Sequence, residues 1–140
     1  MTSECLFCAI AAHEIASEIV YEGENAVAFL DNRPLFPGHV LVIPRMHVET
    51  LTELPSDAIN PLFTCVQAVT RAVEQVMEAH GSFVAINNRV SQSVPHLHVH
   101  VVPRKKKDGL KGFFWPRNPY PNTDEMTRTA DALRAALTGA

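Results

Sequence analysis

The first third of the chain alternates short apolar runs with turn formers. Ala9 to Ile15 reads as a short helix, and Ile19-Val20-Tyr21 and Ala26 to Leu30 read as strands joined through Glu22-Gly23-Glu24-Asn25, a hairpin. Asp31-Asn32-Arg33-Pro34 breaks the run, and Pro37-Gly38 turns the chain into a β-rich segment, His39 to Ile43, that stops at Pro44. The clearest helix follows. Leu62, Val66, Val69, Val73 and Val76 recur at gaps of three and four, one apolar face of a helix that ends near His80-Gly81. Its start lies either at Asn60-Pro61 or a turn earlier at Ser56-Asp57. Phe83 to Asn87 and Leu97 to Val102 complete the strands, the last closed by Pro103, and Asn122-Thr123-Asp124-Glu125 caps a final helix ending near Leu137-Thr138-Gly139. The pattern predicts an α+β class: an antiparallel sheet with helices on one side, a long central helix and a C-terminal helix.

One strand has unusual chemistry. In Pro95-His96-Leu97-His98-Val99-His100-Val101-Val102 the imidazoles alternate with apolar residues, so a strand sends all three to one face while Leu97, Val99 and Val101 fill the other. On a straight strand the first and third side chains stand ~13 Å apart, too far to share one ion. At most one of them binds a given metal, which leaves a neighbour for proton transfer or nucleophilic attack.

Composition narrows the partners. The chain has 140 residues, 46% of them apolar, which suits one domain spanning residues 1–140. With 12 Lys+Arg against 15 Asp+Glu the net charge is −3, so no global positive field recruits nucleic acid. No apolar run approaches the ~20 residues of a membrane span, and Glu4 and Cys5 stand where a signal peptide would be basic, which together predict a cytoplasmic protein. Three cysteines cannot form an all-paired disulfide framework. Cys5-x-x-Cys8 is half of a tetrahedral zinc site or, alternatively, a redox pair, although no thioredoxin-like βαβ pattern surrounds it. Cys65 lies beside the apolar stripe of the long helix and reads as core.

The chain resembles the histidine-triad (HIT) nucleotide hydrolases and transferases. The residues that carry the likeness are Cys5 to Ile10, Phe29-Leu30-Asp31, Pro37 through His47, Asn87-Asn88, and Gln92 through Arg104 with its His-x-His-x-His core. The resemblance implies a HIT-like fold and cleavage at the α-phosphate of a purine nucleotide conjugate, either a nucleoside phosphoramidate or a dinucleoside polyphosphate. His98 is then the nucleophile that forms a nucleotidyl-histidine, His100 a hydrogen-bond donor to phosphate, and His39 a further histidine beside the triad. Asp31 matches the ribose-binding acid. Phe7, Ile10 and Phe29 match apolar positions around the base, where ordinary core is the alternative, and Asn87, Gln92 and Ser93 match the phosphate loop. That loop departs from the family: Arg89-Val90-Ser91 is about two residues shorter than usual and lacks its glycines.

The resemblance also completes the metal set. In bacterial HIT proteins with this cysteine pair, His47 and His96 would join Cys5 and Cys8, a closed and therefore structural Zn²⁺ site. Homodimerisation is implied as well. The aromatic segment Gly112-Phe113-Phe114-Trp115-Pro116 would cover the cleft or an interface, and Lys105-Lys106-Lys107 would either contact outer phosphates or sit solvated. Two other functions fit the same residues: a zinc-stabilised nucleotide-binding module with little turnover, and a zinc-dependent hydrolase.

Overall fold

Ala26-Val27-Ala28-Phe29-Leu30 and Val40-Leu41-Val42-Ile43-Pro44 are almost wholly apolar, and strands of that kind bury both faces. A computed structural model describes residues 4–110 and 117–138, which fall into two compact units divided between Asp108 and Gly109. The first unit contains α1 (Leu6–Ala11), β1 (Ile19–Glu22), β2 (Ala26–Leu30), β3 (Val40–Pro44), α2 (Ser56–Val76), β4 (Gly81–Ala85) and β5 (Val99–Arg104). Its strands form one antiparallel sheet in the order β1-β2-β3-β5-β4. The second unit contains α3 (Thr123–Thr138), whose first turn is capped by Asn122 Oδ1 accepting from the Glu125 N–H at 2.8 Å.

Alternation along β2, β3 and β5 divides the core into two layers. Ala26, Ala28, Val40, Val42, Leu97, Val99 and Val101 meet Leu62, Cys65, Val66, Val69 and Val73 of α2. On the opposite face Val27, Phe29, Leu41 and Ile43 meet Phe7, Ile10 and Ala11 of α1. The expectation of helices on one side is therefore corrected. The short N-terminal helix covers the second face because those strands have apolar side chains on both.

Several boundaries move, each for a backbone reason. α1 begins earlier than its apolar run because Cys5 caps it, and it has ended before His13, which adopts a left-handed φ of 61°. α2 starts at Ser56, the earlier of the two candidate starts, with Pro61 inside it, and stops at Val76 with Met77 as C-cap. The last strand is Val99–Arg104 rather than Leu97–Val102. Its start shifts because the Leu97 N–H is taken by the Val48 carbonyl at 2.7 Å, outside the ladder. Pro103 is tolerated within it because pairing with β3 ends at Val101↔Val40, so no N–H is needed there. β4 shifts with its partner, Gly81↔Arg104 to Ala85↔His100, instead of running from Phe83 to Asn87.

Candidate active site and metal centre

The histidine segment straddles the start of β5: His96 and His98 precede the regular strand and His100 lies in it. Leu97, Val99 and Val101 are fully buried against α2, and this anchors the imidazoles on the α1 face. His98 is itself buried, at 4% exposure, and its ring packs edge-on against Phe7 at 5.0 Å. Phe7 in turn stacks edge-on to Phe29. Phe7, Ile10 and Phe29 are thus core and cleft wall at once.

Backbone groups fix the tautomers of three imidazoles, because a carbonyl can only accept and an amide N–H can only donate. His96 donates from Nε2 to the Pro44 carbonyl at 2.9 Å, so its Nδ1 has a free lone pair. His98 donates from Nδ1 to the His96 carbonyl at 2.7 Å, which leaves the lone pair on Nε2. His39 accepts at Nδ1 from the Leu35 N–H at 3.1 Å, so its proton sits on Nε2 and is donated to His100 Nδ1 at 3.0 Å. Neutral His100 then carries its own proton on Nε2. Burial, reinforced by neighbouring His98 and His39, pushes the His100 pKa down to about 4, and burial also lowers His39 and His96.

The lone pair of His96 points at a cluster. Cys5 Sγ and Cys8 Sγ each lie 3.4 Å from His96 Nδ1, His47 Nδ1 lies 3.4 Å from Cys8 Sγ, and the two Nδ1 atoms are 3.2 Å apart. A tetrahedral ion with Zn–S of ~2.3 Å and Zn–N of ~2.0–2.1 Å sets neighbouring donors ~3.3–3.8 Å apart, close to these spacings. Two soft sulfurs and two imidazoles converge with all four donor atoms within 4.8 Å of one another, so Cys5, Cys8, His47 and His96 can hold a metal ion. The Cys5 side chain caps α1 by accepting from the Cys8 N–H, which places both sulfurs on one helical turn. Pro44 supplies the outer hydrogen bond that orients His96.

Asp31, His39 and His100 also converge within 4.8 Å. Their geometry is that of a hydrogen-bond relay, because the Leu35 amide keeps a proton on His39 Nε2, the atom that faces His100. Asp31 Oδ2 stands 3.7 Å from that nitrogen, beyond hydrogen-bond reach.

These groups open onto a cleft of about 490 Å³ lined by Phe7, Ile10, Phe29, Asp31, Ser93, His98 and His100. Arg33 and Val94 line it too, and sequence reasoning missed both. The signal for Arg33 was available in the Asp31-Asn32-Arg33 turn, where Asp31 Oδ1 accepts from the Arg33 N–H at 2.9 Å. Gln92 does not line the cleft. Its Oε1 accepts from the Arg89 N–H and its Nε2 donates to the Glu49 carbonyl, so its amide braces the loop against the segment after β3. Asn87 is likewise absent from the lining, while its neighbour Asn88 accepts from the Leu51 N–H. Arg89 and Ser91 take left-handed φ values of 69° and 62°, so this loop makes its turns without glycine. Lys105, Lys106 and Lys107 are exposed in a turn where Asp108 accepts from the Lys105 N–H. The aromatic segment 112–116 lies outside the described residues.

Comparison with known proteins bears on this geometry. Residues 12–107 match the HIT domain model, a span that includes the histidine segment but begins after the cysteine pair. The chain is 41% identical to the asymmetrical bis(5'-nucleosyl)-tetraphosphatase of Schizosaccharomyces pombe over 96 residues, 67% of this chain and 53% of that protein, so it spans about half the length of that relative. Among solved structures it is similar to SMU.412c from Streptococcus mutans UA159, with a TM-score of 0.87 and 33% identity over 98% of this chain and 87% of the other. It is also similar to a Zn-bound histidine triad family protein from Mycobacterium smegmatis, with a TM-score of 0.73 and 35% identity over 97% and 96% of the two chains. The matched residues, the shared α+β fold and the histidine segment at its centre agree: the chain belongs to the HIT-domain family.

Proposed function

We propose that the chain, as a single HIT-domain enzyme over residues 1–140, hydrolyses or transfers at the α-phosphate of a purine nucleotide conjugate, with His98 as nucleophile. The observation that carries this reading is the 2.7 Å bond from His98 Nδ1 to the His96 carbonyl, which leaves the Nε2 lone pair for phosphorus. No strong base is required, because a neutral imidazole is nucleophilic near neutral pH. The Nε2–P bond forms as the bond from phosphorus to the leaving group breaks, and the leaving group departs as a polyphosphate anion or, taking a proton from solvent, as an amine. Water then attacks the nucleotidyl-histidine, releasing the nucleotide and restoring neutral His98. His100, kept neutral by burial and oriented by His39, donates its Nε2 proton toward a phosphate oxygen where charge accumulates. Asp31, at the cleft wall, accepts from ribose hydroxyls. Phe7, Ile10 and Phe29 face the base, Ser93 the phosphates, and Asn87 and Gln92 shape the loop that bears it.

Zn²⁺ held by Cys5, Cys8, His47 and His96 is structural in this reading, since four protein ligands leave no open position. It would tie α1 and the segment after β3 to His96, whose carbonyl orients the nucleophile. The relative's name, a bis(5'-nucleosyl)-tetraphosphatase, supports dinucleoside polyphosphates as one substrate class. Among the described residues no helix is long and apolar enough to cross a membrane. We read the enzyme as cytoplasmic and homodimeric, with nucleotides rather than nucleic acids as ligands.

The test is a comparison of kcat/KM on diadenosine tetraphosphate and on an adenosine phosphoramidate, for wild type and His98→Ala. Turnover of at least one substrate that falls ~10³-fold or more in the variant is expected, the scale of losing a covalent nucleophile. Equal rates in the two proteins would refute the role of His98.

A further inference from the structure

The histidine cleft contains one cation with no role in the attack at phosphorus. Among the described residues Arg33 is the only lysine or arginine that lines it, and Asp31 is the only acid. His100, pushed down to about 4 by burial, adds no positive charge near neutral pH. Arg33 is exposed, and its guanidinium makes no ion pair or hydrogen bond with a described residue.

The backbone beneath that side chain is fixed. β2 ends at Leu30, and the loop after it closes where the Asp31 N–H donates to the His39 carbonyl at 2.9 Å. Within the loop the Leu35 N–H donates to His39 Nδ1 and the Arg33 N–H to Asp31 Oδ1. Pro34 disfavours a helical backbone at Arg33. Arg33 is therefore rooted beside the carboxylate that stands 3.7 Å from His39 Nε2, and it shares the cleft with His98 and His100. Other cations are placed elsewhere. Lys105, Lys106 and Lys107 follow the far end of β5, roughly 20 Å along the chain from His98 at ~3.3 Å per residue, and none lines the cleft. Arg45 donates to the Gly23 and Ala11 carbonyls, and Arg104 pairs with Asp108.

The two candidate substrate classes differ in what lies beyond the α-phosphorus. A dinucleoside polyphosphate carries further negative charges there, whereas a phosphoramidate carries an amine. We infer that Arg33 binds the phosphate chain on the leaving-group side and so selects polyphosphate conjugates over conjugates that release an amine. The planar guanidinium donates paired N–H bonds to phosphate oxygens and offsets the repulsion from Asp31. As the P–O bond breaks, its electron pair stays on the departing polyphosphate oxygen; Arg33 stabilises that charge and passes no proton. The inference rests on the reading that the α-phosphorus is the atom attacked.

Two measurements on the full chain test it. Arg33→Ala keeps the N–H that Asp31 accepts, so the loop is preserved. In the first, kcat/KM on diadenosine tetraphosphate falls ~10-fold or more in Arg33→Ala, the scale of a charge-assisted hydrogen bond, and Arg33→Lys recovers part of the loss. On an adenosine phosphoramidate the same variants stay within ~2-fold of wild type, as an exposed substitution without a substrate contact does. In the second, titration calorimetry compares adenosine tetraphosphate with AMP: Arg33→Ala weakens the tetraphosphate ~10-fold and leaves AMP within ~2-fold. An equal fall on both substrates, or no fall on the tetraphosphate, would overturn the role of Arg33, as would unchanged tetraphosphate binding or an equal weakening of AMP. If neither substrate turns over, the reaction assigned to His98 fails and the calorimetry alone decides whether Arg33 holds the phosphate chain.

Discussion

Acidification tests the buried relay directly. His100 is pushed from 6.5 down to about 4 by burial and by its histidine neighbours, so between those values the unfolded chain takes up a proton that the folded protein refuses. Stability from this group is complete above pH 6.5 and is lost as pH falls through the window toward 4. Integrating the difference in proton binding from about pH 7.5 to about pH 5 gives a loss of up to about 2 kcal/mol from His100 alone. His39, lowered by burial, adds to the loss with the same sign. The assay is urea unfolding at the two pH values for wild type and His100→Gln. Protonation of metal ligands is common to both proteins and cancels in the comparison, so wild type should lose about 2 kcal/mol more than the variant over this range. An equal loss, or a steeper one in His100→Gln, would refute the account of a neutral imidazole held by burial.

Other predictions follow from the same geometry. Stripping the metal with a chelator, or Cys8→Ser, lowers the thermal midpoint by at least about 5 °C in a thermal-shift assay, since the cluster joins α1 to the histidine segment; an unchanged midpoint would argue against a structural ion. Ser91→Gly relieves a left-handed φ of 62° and gains about 1 kcal/mol in urea unfolding, whereas a loss would mean that the serine side chain holds the loop. Gly38→Ala has the opposite effect: its φ is +94° and a Cβ would lie 2.6 Å from Met77 Cγ, so about 1–2 kcal/mol of stability is lost. Asp31→Asn raises KM about 10-fold with kcat nearly kept, the size of one charge-assisted hydrogen bond to substrate. A fall confined to kcat would move Asp31 from ribose to the chemistry.

Much of this was legible in the residues. Leu62, Val66, Val69 and Val73 announced α2 and its buried face, and the alternation of His98 and His100 with Val99 and Val101 placed imidazoles opposite the α2 core. His96 and His100 have different partners: His96 faces the cysteines while His100 pairs with His39. What the sequence could not show depends on long-range backbone partners. The Val48 carbonyl draws Leu97 off the ladder, and Pro44 and Leu35 select tautomers from positions whose side chains have no visible role in the motif. The second helical layer was hidden because β2 and β3 are apolar throughout, a pattern that gives no sign of which helix covers which face. The bonds of the Gln92 amide to the Arg89 N–H and the Glu49 carbonyl were equally out of view, because they depend on a loop whose left-handed residues, Arg89 and Ser91, are not glycines.

The central claim is that His98 Nε2 forms a bond to phosphorus. Mixing enzyme with diadenosine tetraphosphate, quenching during turnover in alkaline denaturant and mapping the peptides by mass spectrometry reads this out. The account predicts a nucleotidyl adduct on His98, absent from His98→Ala. Full turnover with His98 unmodified throughout, or an adduct on another residue, would contradict it.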